Sequence, residues 1–315
     1  MATLKETGER ELVRLISNVA RTRSKSTRVG LGDDAAVLGC NGDAVICTDI
    51  VSAARHMPEG MGYERFGWTS AAVCFSDLAA MGARPTGFLP SVSAPDDMEV
   101  ADLLDIISGI DQCCEFVETE IVGGDTKPGE LSVAGTAIGQ MEGRTPMVRS
   151  GAQPGDIVAI TGPLGNPAAG YYSLGTEMEA DDERFALYVP VPRVAEGIKL
   201  ASSGAVTSCM DLSDGLATAA SEICRQSHAG MIMEWEFLPI GENVEEICEA
   251  LGKDVKEAVL GWGGEYELLF TFKKDMIDNL YREGVPFSII GTVDNGDGPY
   301  IRIDGKEERL GYGVY

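Results

Sequence analysis

The sequence predicts a mixed α/β protein of two domains, residues 1–148 and 149–315, and three observations carry that expectation. Apolar runs of strand length alternate with stretches of helical spacing through both halves. The alternation is broken once, by Arg149-Ser-Gly-Ala-Gln-Pro-Gly-Asp156, whose turn-forming residues mark a boundary. Five short segments end in aspartate after small or apolar residues: Gly32-Asp33-Asp34, Cys47-Thr48-Asp49, Phe75-Ser76-Asp77, Gly123-Gly124-Asp125 and Met210-Asp211-Leu212-Ser213-Asp214. Carboxylates at the rims of several core elements suggest a multi-metal nucleotide site, because magnesium in phosphoryl-transfer enzymes is held by a few carboxylates plus substrate phosphates.

Each element follows from its residues. Glu6 to Val19 places Leu12, Leu15 and Ile16 at helical spacing, and the polar, basic stretch Arg21 to Arg28 after it is a linker or a lid. Short apolar runs predict strands at Ala44 to Cys47, Phe88 to Val92, Glu120 to Val122 and Leu131 to Met141. Longer segments between them predict helices from Glu64 to Met81 and from Met98 to Cys114. Past the boundary, Ile157-Val-Ala-Ile-Thr-Gly is a strand running into Pro163-Leu-Gly-Asn-Pro-Ala-Ala-Gly170, a glycine-rich loop that opens a helix. There follow a helix at Arg193 to Ala201, a strand at Ala205 to Met210, a helix after Asp214 and a strand at Met231 to Glu236. Two helices then lead to Leu260, with strands near Glu267 to Phe272 and Phe287 to Val293.

Composition narrows the function. With 44% hydrophobic residues the chain is too apolar to be disordered. No signal peptide opens it and no run is long enough to span a bilayer, so a cytoplasmic location without membrane contact is expected. The eight cysteines form no CxxC pair and sit mostly in apolar stretches beside only two histidines, the pattern of reduced core thiols. A formal charge of −25 argues against nucleic-acid binding. It also means that an anionic substrate needs cations between it and the protein, unless the acidity is only a solvated surface.

Taken singly, the motifs leave alternatives open. Asp77 sits in Ser70-Ala-Ala-Val-Cys-Phe-Ser-Asp-Leu-Ala-Ala-Met-Gly82, almost without other polar residues. A buried carboxylate there needs a metal, an arginine such as Arg84 or a helix-end hydrogen bond. Gly-Asp-Asp alone is a common turn. Thr48 and Asp49 add a hydroxyl and a carboxylate at one strand end. The glycines of Gly123-Gly124-Asp125-Thr126-Lys127 either make an ordinary turn or let backbone N–H groups approach a phosphate. Ser213 and Asp214 suit an N-cap, a metal site or both. Recurrence of these motifs in both halves favours a joint reading.

That ordered set resembles the thiamine-monophosphate kinase family, within the superfamily of aminoimidazole ribonucleotide synthetase-like ATP enzymes. The match runs through Gly32-Asp33-Asp34-Ala35, Thr48-Asp49, His56, Ser76-Asp77-Leu-Ala-Ala-Met-Gly82-Ala83, Gly123-Gly-Asp-Thr126, Arg149 to Asp156, Asp211-Leu-Ser-Asp-Gly-Leu216 and Gly263-Gly264-Glu265, nearly the whole length. The resemblance implies an N-terminal domain that forms a homodimer and the ATP site, followed by a C-terminal α/β domain. It implies that Asp34, Thr48, Asp49, Asp77, Asp125, Asp211 and Asp214 hold several Mg2+ ions around ATP, with Asp33 as a further contributor. Gly124, Asp125, Arg149 and Ser213 would contact ATP, and His56, Glu265 and Tyr312 the thiamine monophosphate.

Two departures stand out. The family's Gly-Gly-Glu-Asp-Tyr-Glu-Leu lacks its second acid here, Tyr266 following Glu265 directly, and Lys127 replaces an arginine after Gly-Gly-Asp-Thr. The implied reaction is direct transfer of the ATP γ-phosphoryl group to thiamine monophosphate, with no residue needed as acid or base. The alternatives are a superfamily enzyme with another phosphate acceptor and a non-catalytic nucleotide-binding regulator. No cysteine precedes Cys40 and the chain ends Gly-Tyr-Gly-Val-Tyr315, absences that speak against the selenophosphate-synthetase and hydrogenase-maturation branches.

Overall fold

A computed structural model describes residues 15–16, 18–20, 27–29, 37–40 and 42–311. Asp33, Asp34 and Tyr312 lie outside the described residues, as does most of the expected first helix, of which Leu15, Ile16, Asn18 and Val19 are helical. The described chain forms two compact units. One comprises the residues up to Leu78 with Arg84–Gly143, the other Ala79–Ala83 with the residues from Arg144 onward.

The first unit holds β1 (Thr27–Val29), β2 (Val37–Leu38), β3 (Ala44–Ser52), α1 (Ala53–His56), most of α2 (Tyr63–Met81), β4 (Arg84–Ala94), α3 (Val100–Phe116), β5 (Asp125–Pro128) and β6 (Ser132–Gln140). Four of these strands make a sheet in the order β3-β6-β4-β5, with β6 antiparallel to both neighbours and β5 parallel to β4. Period-2 alternation on β3 turns Val45, Cys47, Asp49 and Val51 to one face and leaves Ala44, Ile46, Thr48 and Ile50 exposed on the other. Helix α2 covers the inner face, where Phe75 meets Phe88 at a ring separation of 5.3 Å. The helix comes this close because Gly135, in register with Asp49, carries no side chain: a Cβ there would lie 2.8 Å from Cys74 Sγ. Two more glycines let α2 and α3 cross at near backbone contact. A Cβ on Gly67 would stand 2.0 Å from the Ile106 carbonyl oxygen, and one on Gly109 would stand 1.8 Å from that of Glu64.

The second unit contains β7 (Ile157–Ile160), α4 (Asn166–Tyr172), α5 (Asp181–Tyr188), α6 (Val194–Ser203), β8 (Val206–Asp211), α7 (Leu216–Ser227), β9 (Gly230–Glu234) and α8 (Val244–Ala250). A π-helical turn (Glu257–Gly261), β10 (Leu268–Phe272), α9 (Ile277–Glu283), β11 (Ser288–Asp294), β12 (Gly298–Ile303) and β13 (Lys306–Arg309) complete it. Its seven-stranded sheet runs β13-β12-β9-β11-β7-β10-β8, with only the β12–β9 pair parallel. Helix α7 buries Leu216, Ala219, Ala220 and Ile223 in the core of this unit, at the helical spacing that turns one stripe inward.

Some elements differ from expectation. The expected strand Glu120 to Val122 shrinks to one bridge between Ile121 and Phe88, and pairing resumes at Asp125–Pro128. Gly123 and Gly124 allow this: Gly124 has φ +154°, and a Cβ on it would stand 2.4 Å from the Pro90 carbonyl oxygen. The N-cap position of helix α7 falls on Gly215, one residue past Asp214, and carries no side-chain cap. Among the described residues no helix is long and apolar enough to cross a membrane. The eight cysteines are free, Cys40 exposed, Cys47 half-buried and the other six buried.

Candidate functional site

Strand and helix periodicity together build one cluster in the first unit. Cys47 and Asp49, two apart on β3, share its inner face, and α2 presents Cys74 and Asp77, three apart, on one side. One ligating atom each from Cys47, Asp49 and Asp77 lies within 4.8 Å of the others. Asp49 Oδ2 is buried without a hydrogen-bond partner. Such an oxygen costs on the order of 1–3 kcal/mol, more when charged, and two carboxylates at this range repel each other. A divalent cation answers both demands, so the donor set fits a metal. Arg84, the alternative partner for Asp77, is engaged by Glu142 at 3.1 Å and Glu118 at 3.6 Å. Beneath the cluster the Cys47 thiol donates to the Cys74 carbonyl at 3.1 Å. The Cys74 thiol is pushed up from its ordinary pKa by its hydrogen bond with Cys47, by burial and by the charge of Asp49.

The other expected residues of this unit stand apart from that cluster. Thr48 leaves β3 on the exposed face and donates to the Gly135 carbonyl at 2.8 Å. Asp125 is in register with Ser91 on β4, which pairs with Ala134 opposite Ile50, so the pleat assigns it to the face opposite Asp49. Its carboxylate accepts the Thr126 N–H at 2.8 Å and sits 3.5 Å from the Lys127 ammonium. His56 is exposed at the end of α1, its Nδ1 accepting the Ser52 N–H at 3.1 Å.

In the second unit, Asp211 ends β8 buried, while Ser213 and the exposed Asp214 lie in the turn beyond it. That turn packs flat on the segment around Gly263. A Cβ on Gly263 would stand 2.0 Å from the Ser213 carbonyl oxygen, and one on Gly215 would stand 2.4 Å from that of Trp262. Gly264 N–H donates to Ser213 O at 3.0 Å, and Leu212 N–H to Glu267 O at 2.8 Å. Glu265 is 8% exposed. Its Oε1 accepts the Gly165 N–H at 3.3 Å, and Oε2 is buried without a partner. Burial raises its pKa to about 8 against the pull of two backbone N–H groups, so the carboxyl stays largely protonated near neutrality. Arg149 is exposed, its carbonyl accepting from Ser227 at 3.4 Å.

Sequence reasoning missed three residues. Cys47 had a signal, since it lies two before Asp49 on a strand and must share its face. Glu267 had no such signal, since it precedes β10 and Tyr266 before it has φ +52°, which breaks strand alternation with Glu265. Glu267 is 3% exposed, receiving Thr161 Oγ1 at 2.6 Å and Arg193 Nε at 2.8 Å. Arg193, in a proline-rich connection before α6, had no signal of spacing.

Two family models divide the chain between them: AIR synthase related protein, N-terminal domain, over residues 32–141, and AIR synthase related protein, C-terminal domain, over 153–304. The thiamine-monophosphate kinase of Methanopyrus kandleri is 34% identical over 92% of this chain and 91% of that protein. Its counterpart in Pyrococcus abyssi is 35% identical over 90% and 89%. Among solved structures, the thiamine-monophosphate kinase of Stenotrophomonas maltophilia K279a superposes with a TM-score of 0.80 at 29% identity, covering 94% of this chain and 95% of that one. The structure of AaThiL complexed with AMPPCP and TMP has a TM-score of 0.78 at 29% identity, covering 100% and 99%. The chain belongs to the thiamine-monophosphate kinase family of AIR synthase related proteins.

Proposed function

We propose that this chain transfers the γ-phosphoryl group of ATP to thiamine monophosphate, giving thiamine diphosphate and ADP. The observation that carries the reading is the match to thiamine-monophosphate kinases over about nine-tenths of both chains. A phosphate oxygen of thiamine monophosphate attacks the γ-phosphorus, and the bond to the bridging oxygen of ADP breaks. A phosphate monoester has its second pKa at about 6, so the nucleophile is already ionised and no side chain is assigned as general base. The work left to the protein is alignment and charge balance.

Asp49 and Asp77 would hold Mg2+, a fit supported by the unpartnered Asp49 oxygen. Asp34, Thr48, Asp125, Asp211 and Asp214 are proposed as ligands of further ions, Thr48 and Asp125 from the sheet face opposite Asp49. Bound magnesium supplies neutralisation of phosphate charge. Gly124, Asp125, Arg149 and Ser213 are assigned to ATP. Gly124 qualifies because a bare backbone can approach a phosphate. His56, Glu265 and Tyr312 are assigned to the acceptor.

A homodimer belongs to this reading. Among the described residues, the sheet face opposite Asp49 leaves Ile46 and Ile50 at 66% and 68% exposure, apolar side chains that a second copy would bury. A cytoplasmic location also belongs to it, in keeping with the free thiols. Incubation with ATP, Mg2+ and thiamine monophosphate, followed by chromatography of the thiamine species, tests the proposal. Thiamine diphosphate formed one for one with ADP is expected; ATP binding without product would favour a regulator.

A further inference from the structure

We propose that Cys47 completes the Asp49–Asp77 cluster as a site for a thiophilic divalent cation of the zinc or cadmium class, in competition with magnesium. The inference rests on the reading that Asp49 and Asp77 hold a cation. It adds a sulfur donor that magnesium does not use.

The geometry is that of a chelate. Cys47 and Asp49 leave one face of β3 two residues apart, Asp77 arrives from α2, and the three donor atoms fall within 4.8 Å. Asp49 Oδ2 is already desolvated and has no competing partner. The Cys47 sulfur is engaged by weak hydrogen bonds to Cys74, its carbonyl at 3.1 Å and its thiol, which a metal bond can replace. Of the described thiols, Cys40 is exposed and six are buried, which leaves Cys47 as the half-buried one beside two carboxylates.

Donor chemistry then separates the cations. Magnesium takes oxygen in octahedral geometry and keeps water. Zinc and cadmium accept mixed sulfur and carboxylate donors, for which softness favours thiolate. On binding, the Cys47 S–H bond breaks, the proton leaves to solvent and a sulfur–metal bond forms, with no change of oxidation state. One cluster thus has two classes of occupant, and the thiophilic one displaces the cation that phosphoryl transfer needs.

The test is a Cd2+ titration of the full chain, followed by the ultraviolet absorption of the sulfur-to-cadmium charge transfer. A band saturating at one equivalent is expected. It should be lost in Cys47→Ser, kept in Cys40→Ser and weakened roughly tenfold or more in half-saturation by Asp77→Asn. Excess Mg2+ should move the wild-type midpoint to higher Cd2+. In the unmutated chain Cd2+ should also slow alkylation of Cys47, read by peptide mass, which keeps the test open if a variant fails to fold. A band surviving in Cys47→Ser, a midpoint indifferent to Mg2+, or unchanged alkylation would overturn the proposal. A chain that makes thiamine diphosphate but shows no band retains the kinase function and loses this site.

Discussion

Asp49 and Asp77 face each other across a strand and a helix, so each makes the other's charge costly until a cation stands between them. Activity should therefore fall when either charge is removed. Asp77→Asn keeps the side-chain volume and removes one charge, and kcat is expected to fall by about 100-fold or more. A parental kcat would remove Asp77 from the site. Glu265 yields a pH dependence. Its pKa is near 8 in the folded chain against an ordinary 4.5, so the unfolded chain loses its proton first as pH rises. Below pH 4.5 both states are protonated and the group contributes nothing. Between 4.5 and 8 it destabilises the fold increasingly, to a ceiling of about 5 kcal/mol. Glu265→Gln should flatten this decline, so that urea melts of mutant and parent diverge from pH 5 to pH 8; parallel curves would contradict the assignment. Asp77 drew notice because a carboxylate inside an apolar run demands a partner, and Asp49 because it follows an apolar run expected to end a strand, although β3 runs on to Ser52. Thr48 and Asp125 show what a motif hides: adjacent strand residues point to opposite faces, and the register of β5 exists only once the sheet is paired.

Helix α2 reaches Asp49 because glycine holds the elements at backbone range. Gly109→Ala places a methyl group 1.8 Å from the Glu64 carbonyl oxygen and must push α3 off α2. A loss of roughly 1–3 kcal/mol is expected in urea unfolding, with more Mg2+ needed for half-maximal activity as α2 shifts; an unchanged midpoint would mean that the crossing tolerates a side chain. Elements with an apolar stripe or run, such as α2, α3, β6 and α7, were legible at their centres. Those without one were not. Helix α5 opens with Asp181, Asp182 and Glu183 and buries only Glu183 and Tyr188, while β13 is Lys-Glu-Glu-Arg, exposed throughout. Neither carries hydrophobic periodicity, and both are held by tertiary neighbours that no local pattern announces.

At the scale of the chain, two AIR synthase related units follow from the ordered motif set, which the residue types alone left divided between turns, caps and metal ligands. The homodimer is an expectation of this scale. Ile50→Asp sets a charge on β3, at the edge of the sheet face opposite Asp49, and should turn a dimer into a monomer in sedimentation velocity; a wild-type monomer would leave that face without its proposed role. The net charge of −25 sets the larger problem, because an acidic protein is proposed to bind two anionic substrates. Cations held by its own carboxylates are the physical solution offered for it. The most direct measurement is therefore the rate of thiamine diphosphate formation from ATP and thiamine monophosphate as Mg2+ is titrated from zero. Turnover should be absent without the metal, rise with it and stop again on chelation. Turnover unaffected by chelation, or no thiamine diphosphate at any Mg2+ concentration, would contradict the account.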